Sequence, residues 1–207
     1  MWNRTENQIT LVLIRHGETK SNREHRYLGR TDEALSMEGI RELEQNHAAH
    51  KYPRVDMLFT SPMRRCLETA SILYPDMCPA VIYEWAEMDF GAFEGKNYEE
   101  LKWDERYQAW IDSDGVLPFP EGESREEFML RCEEGFRNML ERINRERKQG
   151  RKLQTIGMLV HGGTIMALLS RLYGGEYFDY QVPNGEGYLC RITEAVESVR
   201  ITDVKRL

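Results

Sequence analysis

The sequence predicts an α/β fold, a three-layer α/β/α sandwich in which helices cover both faces of a mostly parallel sheet. The first observation behind this prediction is a set of short, continuous apolar runs at 10–15, 55–60 and 155–161. Such runs are typical of strands that are buried on both faces. The second observation is that helical patterns separate and follow these runs, and this alternation is typical of a parallel sheet.

The helix after the second apolar run has recognisable ends. Ser61 stands before Pro62, and a capping residue followed by proline at the first helical position marks a helix start. Pro75 ends the helical pattern, because proline cannot donate a backbone hydrogen bond. These signals predict a helix over 62–74.

Two more helices follow in the second half of the chain. Ser124 and Glu127 form a capping box, and apolar residues then recur at spacings of one, three or four up to about Gly150. This pattern predicts a long amphipathic helix. Another helix is expected over 164–173, where the glycine pair 174–175 ends it.

The remaining segments complete a single domain over 1–207. Alternating residues at 187–193 and 198–204 predict two further strands. The stretch 93–121 is rich in aromatic residues and carries turn signals, and we expect it to form a small helical cap inserted into the domain. A chain of 207 residues leaves room for one such domain.

The composition excludes several classes of protein. The chain is 41% hydrophobic and 30% charged, which excludes a disordered or fibrous protein. Its net charge of −7 argues against a nucleic-acid partner, because non-specific binding to polyanions needs an excess of Lys and Arg. Any anion site must therefore be local.

Cysteine spacing and the first residues indicate the compartment. The residues 1–7 are polar and include an acid, and no apolar run is long enough to span a bilayer. We therefore expect neither a signal peptide nor a membrane partner. The cysteines lack the Cys-x-x-Cys spacing, which predicts reduced thiols in a cytoplasmic protein. They are Cys66, Cys78, Cys132 and Cys190.

Two histidines follow buried strands in the same context. In each case an apolar run ends in His-Gly, once at His16 and once at His161. Ligands of open α/β sheets bind outside the carboxyl ends of the strands, so we expect both imidazoles in one pocket. Gly17 and Gly162 allow the backbone to turn sharply and to approach a ligand closely.

Three interpretations of this pair are open at this point. The histidines can be hydrogen-bonded structural residues, or they can bind a metal together with Glu87 and Asp89. Arg15 argues against a metal, because a guanidinium beside the ligands repels a cation. In the third interpretation Arg15 holds a phosphate group that one histidine attacks, since a guanidinium matches phosphate oxygens. Arg64 and Arg65 favour this interpretation, because they stand near a predicted helix amino end, where phosphate binds.

Five short motifs are spread along the chain: 13–19 (LIRHGET) with Asn22, 61–65 (SPMRR), 87–91 (EMDFG), 122–124 (GES) and 160–163 (VHGG). In type and order they resemble the motifs of the histidine phosphatase superfamily. The resemblance implies a phosphoglycerate mutase-like fold. Two departures are that Cys66 stands where alanine is common and that Phe93 stands where tryptophan is common.

The resemblance also implies roles for single residues. His16 is implied as the nucleophile that becomes phosphohistidine, and Glu87 as the general acid and base. The residues implied to hold the phosphoryl group are Arg15, Asn22, Arg65 and His161. The family's arginine stands four residues after the motif serine, which selects Arg65 over Arg64. Further candidates for contact with the substrate are Gly17, Thr19 and Gly162.

Physical chemistry agrees with these roles. A histidine attacks phosphorus only when it is neutral, and nearby arginines lower the pKa of His16 because they disfavour the imidazolium. The same cations stabilise the charge on the phosphoryl oxygens in the transition state. Glu87 can protonate the leaving alkoxide if its pKa is raised, and can then activate a water molecule. Such a site needs no metal and no cofactor.

The function implied by the resemblance is that of a phosphatase for a small phosphorylated metabolite, of the sugar phosphate or alpha-ribazole phosphate type. A cofactor-dependent phosphoglycerate mutase is the alternative on the same fold, although the Arg-Arg-Ser element of the mutases is absent from 96–121. A phosphate-binding protein without catalysis is the alternative of another class. That alternative gives no reason for two histidines and Glu87 in these motifs.

Overall fold

The computed structural model describes residues 8–195 and 198–207. The polar segment 1–7, on which part of the expectation about a signal peptide rests, lies outside the described residues. No helix within the described ranges is long and apolar enough to cross a membrane.

Six strands and seven α-helices make up the described part of the chain. The strands are β1 (Ile9–Arg15), β2 (Met57–Thr60), β3 (Ala80–Val81), β4 (Thr155–Val160), β5 (Gly187–Ala195) and β6 (Ser198–Arg206). The helices are α1 (Lys20–Arg23), α2 (Met37–Ala48), α3 (Arg64–Leu73), α4 (Tyr98–Leu101), α5 (Glu105–Asp112), α6 (Arg125–Lys148) and α7 (Gly162–Leu172). Short 3₁₀ turns occur at Tyr83–Trp85, Gly91–Phe93 and Tyr177–Tyr180.

The predicted α/β fold with a mostly parallel sheet is confirmed. The strands lie in the order β3-β2-β4-β1-β5-β6. The first four strands in this order are parallel to one another, and β5 and β6 are antiparallel to their neighbours. Parallel strands need crossover connections, which is why helices separate them along the chain.

Two apolar clusters lie on opposite faces of the sheet and give the three layers. Along β1, Leu11 and Leu13 belong to a cluster that contains residues of α6 and α7, whereas Val12 and Ile14 belong to one with residues of α2 and α3. Successive side chains of a strand point to opposite faces, so a strand buried on both faces needs an unbroken apolar run. The apolar run in β1 meets this requirement.

The register of β1 and β4 determines where the two histidines lie. The strands are parallel neighbours, and Arg15 pairs with Val160 at their carboxyl ends. His16 and His161 are the next residues in each strand's sequence, so both leave the sheet at the same edge.

Several predicted boundaries are wrong by two residues. The predicted strand over 55–60 begins at Met57, and just before it the Asp56 carboxylate accepts the N–H groups of Gln154 and Thr155 at the start of β4. The helix predicted to begin at residue 62 begins at Arg64. Its expected cap, the Ser61 hydroxyl, lies 2.7 Å from the imidazole of His161 and accepts the N–H of Met63, the residue before the helix, at 3.3 Å.

The helix predicted over 164–173 also begins earlier than expected. α7 starts at Gly162 with His161 as its N-cap residue, so the second histidine stands at the helix amino end. The long helix is confirmed, because Ser124 and Glu127 form the predicted capping box and α6 runs to Lys148.

The stretch 93–121 contains α4, α5 and a cluster of aromatic rings. Tyr107 and Phe119 are buried, and their rings contact those of Phe93 and Trp110. The role of this stretch as a cap stays a prediction.

A close contact ties α6 to the segment that leads to Glu87. Trp85 is fully buried and its indole N–H donates to the Cys132 carbonyl at 3.2 Å. The ring lies against Gly135, where an added Cβ would stand 2.6 Å from Trp85 Nε1. Glycine inside a helix normally lowers stability. Here a larger residue would collide with the Trp85 ring, so the packing favours glycine at this position.

We predict that Gly135→Ala lowers the free energy of unfolding by about 1–2 kcal/mol, because the overpacking against Trp85 outweighs the gain in helix propensity. Urea unfolding followed by circular dichroism measures the change. Glu141→Ala, at an exposed position of the same helix, is the control and should alter stability by no more than about 0.5 kcal/mol. A stabilised Gly135→Ala protein would show that the contact is loose.

Candidate active site

The two histidines lie together at the carboxyl edge of the sheet. Their ring centroids are 5.2 Å apart in an edge-to-face arrangement, and both residues are buried. The shared pocket expected from two His-Gly strand ends is therefore present in the structure.

The backbone carbonyl of the next residue holds His16 in one tautomer. Its Nδ1 lies 2.7 Å from the carbonyl oxygen of Gly17. A carbonyl oxygen can only accept, so Nδ1 carries the proton and Nε2 of the neutral ring keeps its lone pair. The nitrogen that is free to attack is therefore Nε2.

The pKa of His16 is well below the ordinary histidine value. Burial is the main cause, and the charges of Arg65 and Arg15 lower the pKa further. The pKa of His161 is likewise lowered by burial and by Arg65. Both imidazoles are therefore neutral at physiological pH.

Arg65 is fully buried and two backbone carbonyls fix its guanidinium. Nη1 donates to the Thr31 carbonyl and Nη2 to the Gly29 carbonyl, each at 2.9 Å. The neighbouring Arg64 is exposed and pairs with Glu68 at 2.7 Å. The structure thus places Arg65 in the site and Arg64 at the surface.

Both site arginines keep one buried donor without a partner. Arg15 Nη1 donates to the Val182 carbonyl at 2.8 Å. Within the described residues, Nε of Arg15 and Nε of Arg65 have no hydrogen-bond partner. Buried donors are nearly always satisfied in proteins, so two unsatisfied guanidinium N–H groups beside a histidine indicate an anion site.

Glu87 lies next to His161 in this pocket. It is 8% exposed, Oε1 accepts the N–H of Met88 at 2.9 Å, and Oε2 is 3.8 Å from His161 Nδ1. Burial raises its pKa above the usual carboxyl range, and the nearby arginines only partly oppose this. A carboxyl group with a raised pKa can hold a proton that it later transfers.

Two glycines of the second histidine motif lie against these side chains. A Cβ on Gly163 would stand 2.6 Å from Glu87 Oε1, and a Cβ on Gly162 would stand 3.5 Å from Arg15 Nε. Gly163 therefore permits Glu87 to approach α7, and Gly162 packs against the Arg15 guanidinium.

His161 has contacts on both ring nitrogens. Ser61 Oγ lies 2.7 Å from Nε2 and also accepts the N–H of Met63 at 3.3 Å. The Cys66 thiol lies 3.6 Å from the same nitrogen, and burial raises the pKa of this thiol to about 12. The thiol at the position where the family commonly has alanine is thus an uncharged packing neighbour.

Three other predicted residues shape the loop after β1. Asn22 Oδ1 accepts the N–H of Thr19, and the Thr19 hydroxyl accepts the N–H of Asn22, each at 3.2 Å. Thr19 is fully buried and the Gly17 N–H donates to Thr69 Oγ1 at 3.0 Å. Gly17 and Thr19 therefore have partners within the protein that set the loop's shape, and their contact with the substrate stays a prediction.

Asn184 supports the same loop and is absent from the sequence-based candidates. Its Nδ2 donates to the His16 carbonyl and to Asn22 Oδ1, both at 3.0 Å. The turn signal Pro183-Asn184-Gly185 before the strand β5 was the only indication available in the sequence.

A second group missed by sequence reasoning holds the Glu87 segment. Arg131 on α6 donates to the carbonyls of Glu84, Ala86 and Glu87 and pairs with Glu123 at 2.6 Å. Glu123 belongs to the Gly-Glu-Ser motif, and its Oε1 also accepts the Asp89 N–H at 2.7 Å. The acid-bearing segment is therefore fixed to a rigid helix.

The metal interpretation receives no geometric support. The Asp89 carboxylate, one of its four candidate ligands, accepts the Gly91 N–H at 2.9 Å within a local turn. In the part of the chain that the structure describes, no three His, Cys, Asp or Glu residues are grouped so that they could hold a metal ion.

The family model of the histidine phosphatase superfamily (branch 1) matches residues 11–200. The chain belongs to the histidine phosphatase superfamily. The match spans most of the chain and includes both strand-end histidines, so the resemblance drawn from the five motifs is confirmed.

Relatives and solved structures agree with this assignment. The adenosylcobalamin/alpha-ribazole phosphatase of Escherichia coli is 29% identical over 171 residues, which are 80% of this chain and 80% of that protein. A histidine-to-alanine mutant of the phosphoserine phosphatase from Entamoeba histolytica, crystallised with phosphoserine, is 26% identical, has a TM-score of 0.74 and is matched over 95% of this chain and 96% of its own.

A mutase is also among the similar structures. The phosphoglycerate mutase from Thermus thermophilus is 30% identical, has a TM-score of 0.66 and is matched over 96% of this chain and 99% of its own. This likeness supports the predicted phosphoglycerate mutase-like fold. Together with the phosphatase relatives, the family places the chain among the phosphatase enzymes.

We predict that stability falls as the pH decreases below about 6.5, because the unfolded chain then protonates His16 and His161 while the folded chain keeps both neutral. The sign follows from a folded-state pKa below the unfolded one. The free energy of unfolding of the wild type should decrease between pH 7.5 and 5.5. In His16→Asn this decrease should be smaller by about 1 kcal/mol.

Urea unfolding at the two pH values measures this difference. His47→Asn, at an exposed position of α2, is the matched control and should keep the wild-type pH dependence. An unchanged pH dependence in His16→Asn would show that the folded protein protonates this imidazole as readily as the unfolded chain does.

Proposed function

We propose that the protein is a metal-independent phosphatase that hydrolyses a small phosphomonoester, of the sugar phosphate or alpha-ribazole phosphate type, through a phosphohistidine intermediate on His16. The observation that carries the proposal is the fixed tautomer of His16, whose Nε2 lone pair lies in a pocket with two unsatisfied guanidinium donors. A neutral nucleophile and preformed cations are the two needs of phosphoryl transfer.

In the first step, His16 Nε2 attacks phosphorus, the P–N bond forms and the P–O bond to the leaving alcohol breaks. Glu87, which is protonated because its pKa is raised, gives its proton to the departing oxygen. Arg15, Arg65, His161 and the Asn22 amide hold the phosphoryl oxygens, and Gly162 packs against the Arg15 guanidinium beside them. The products of this step are the free alcohol and phosphohistidine.

In the second step, the Glu87 carboxylate takes a proton from a water molecule. The water oxygen bonds to phosphorus as the P–N bond breaks, and inorganic phosphate and neutral His16 are restored. Glu87 ends the cycle protonated, so one carboxyl group serves both half-reactions. No charge has to enter or leave the site except with the substrate and product.

The cavity beyond Glu87 favours a phosphatase over a mutase. A mutase of this family must retain its free intermediate and binds the glycerate carboxylate through an Arg-Arg-Ser element, which is absent from 96–121. The cavity next to Glu87 has aromatic walls and one guanidinium, that of Arg125. We further propose that 1–207 forms one domain with 93–121 as its cap, and that the unpaired thiols fit a reducing compartment such as the cytoplasm.

We predict that His16→Ala abolishes phosphate release and the formation of phosphoprotein. Rapid quenching with a ³²P-labelled substrate should give acid-labile, base-stable label on the wild type and none on the variant. His47→Ala is the control and should label as the wild type does. Turnover by His16→Ala at a rate near that of the wild type would contradict the covalent mechanism.

We predict that Glu87→Gln slows the phosphorylation of His16 by alkyl phosphates by ~10²–10⁴-fold, the usual worth of a general acid. p-Nitrophenyl phosphate should lose far less, because its leaving group departs without a proton. Single-turnover kinetics isolates this step from the later attack of water. Equal losses for both substrates would show that Glu87 positions the phosphoryl group and that the acid lies elsewhere.

A further inference from the structure

A partly open cavity adjoins the pocket on the far side of Glu87. Its volume is about 170 Å³. It shares Glu87, Gly163 and Met166 with the open cleft that Arg15 and Gly162 line. A ligand with its phosphoryl group beside Arg15 therefore has its ester oxygen near Glu87 and its next atoms at the mouth of this cavity.

The cavity has a rigid aromatic wall. Ring centroids are 5.0 Å apart between Phe90 and Phe119, 4.8 Å between Trp110 and Phe119, and 5.1 Å between Tyr27 and Phe90. Apolar walls of this kind disfavour polyols, whose hydroxyl groups would lose water without gaining partners. An apolar cavity of about 150 Å³ holds one benzene ring, so the space here suits a single ring.

Two polar groups interrupt the apolar wall. The buried indole N–H of Trp110 has no hydrogen-bond partner among the described residues. Arg125 forms no ion pair within the same residues. Its Nη1 donates to the Asp114 carbonyl at 3.4 Å, and its guanidinium carbon lies 5.6 Å from the ring centroid of Tyr177. An unsatisfied indole N–H, and a guanidinium with one long hydrogen bond and no ion pair, favour a ligand that brings an acceptor to this cavity.

We propose that this cavity is the leaving-group subsite and that it selects phosphomonoesters whose alcohol carries one flat apolar ring with a carboxylate or similar acceptor on its far side. This inference rests on the proposed phosphatase function and, among the phosphomonoesters, favours ring-bearing alcohols over the sugar phosphates. Met88 and Met166 complete the apolar lining, and Trp110 Nε1 and Arg125 supply the two donors for the acceptor.

Three substrates with alcohols of similar acidity test the ring and the acceptor separately. They are allyl phosphate, benzyl phosphate and 4-carboxybenzyl phosphate. Burial of the ring should raise kcat/KM of benzyl over allyl phosphate by roughly 10- to 100-fold. The carboxylate should raise it further by about 10-fold, because charge-assisted hydrogen bonds are the stronger kind. Glycerol 1-phosphate should be a poor substrate.

Two variants connect these preferences to the cavity. Arg125→Gln should lower the ratio of kcat/KM for 4-carboxybenzyl over benzyl phosphate by about 10-fold, and Trp110→Phe should lower it by a smaller factor. The matched controls are Arg106→Gln and Trp103→Phe, at exposed positions of the stretch 93–121, which also contains Trp110. Both controls should keep the wild-type ratio.

The outcomes separate this inference from the proposed function. Equal kcat/KM values for allyl and benzyl phosphate, or an unchanged ratio in Arg125→Gln, would overturn the subsite while phosphatase activity stands. If no ester released phosphate, the proposed function would fail. The subsite would then be judged by calorimetry with 2-phenylethylphosphonate and propylphosphonate, which have no ester bond to cleave. Tighter binding of the phenyl compound would support the subsite, and equal binding would overturn it.

Discussion

The placement of two guanidinium groups, one fully and one partly buried, beside two imidazoles is the constraint on which the rest of the site depends. Arg65 is fully buried, and removing a cation from water is costly unless other groups replace its hydration. Backbone carbonyls of Gly29 and Thr31 do this for Arg65, and Glu94 in turn accepts the N–H groups of these two residues. The loop between α1 and α2 is thereby shaped around a positive charge.

The charges of Arg15 and Arg65 also explain why the backbone around Glu87 must be held in a fixed position. Arg15 and Arg65 attract the ionised form of Glu87, whereas burial favours the neutral form, and burial is the larger effect. That balance holds only while the carboxyl group stays at its distance from the guanidinium groups. Arg131 fixes the backbone on both sides of Glu87 to α6, so the balance is set by a helix that the α6 capping box and apolar face already stabilise.

Local signals in the sequence predicted much of the fold and site. Apolar runs identified β1 and β4, and the His-Gly context at their ends predicted one shared pocket. The short strand β3 has two residues and gives no periodic signal, and α2 buries few side chains, so its apolar pattern is weak. Asn184 and Arg131 act through partners distant in sequence, which no local pattern encodes. Ser61 has the local sequence context of a helix cap, whereas its contact with His161 depends on tertiary structure, which the local pattern does not show.

The arrangement of the cysteines has a practical consequence for studies of this enzyme. Cys66 touches the site, but its high pKa leaves almost no thiolate at pH 7, and thiolate is the form that alkylating reagents and peroxides attack. Cys132 and Cys190 are equally enclosed, whereas Cys78 is exposed. A maleimide dye would therefore attach at Cys78, just before the amino end of β3, whereas the histidines lie at the carboxyl edge of the sheet, so the label would leave the site's chemistry intact.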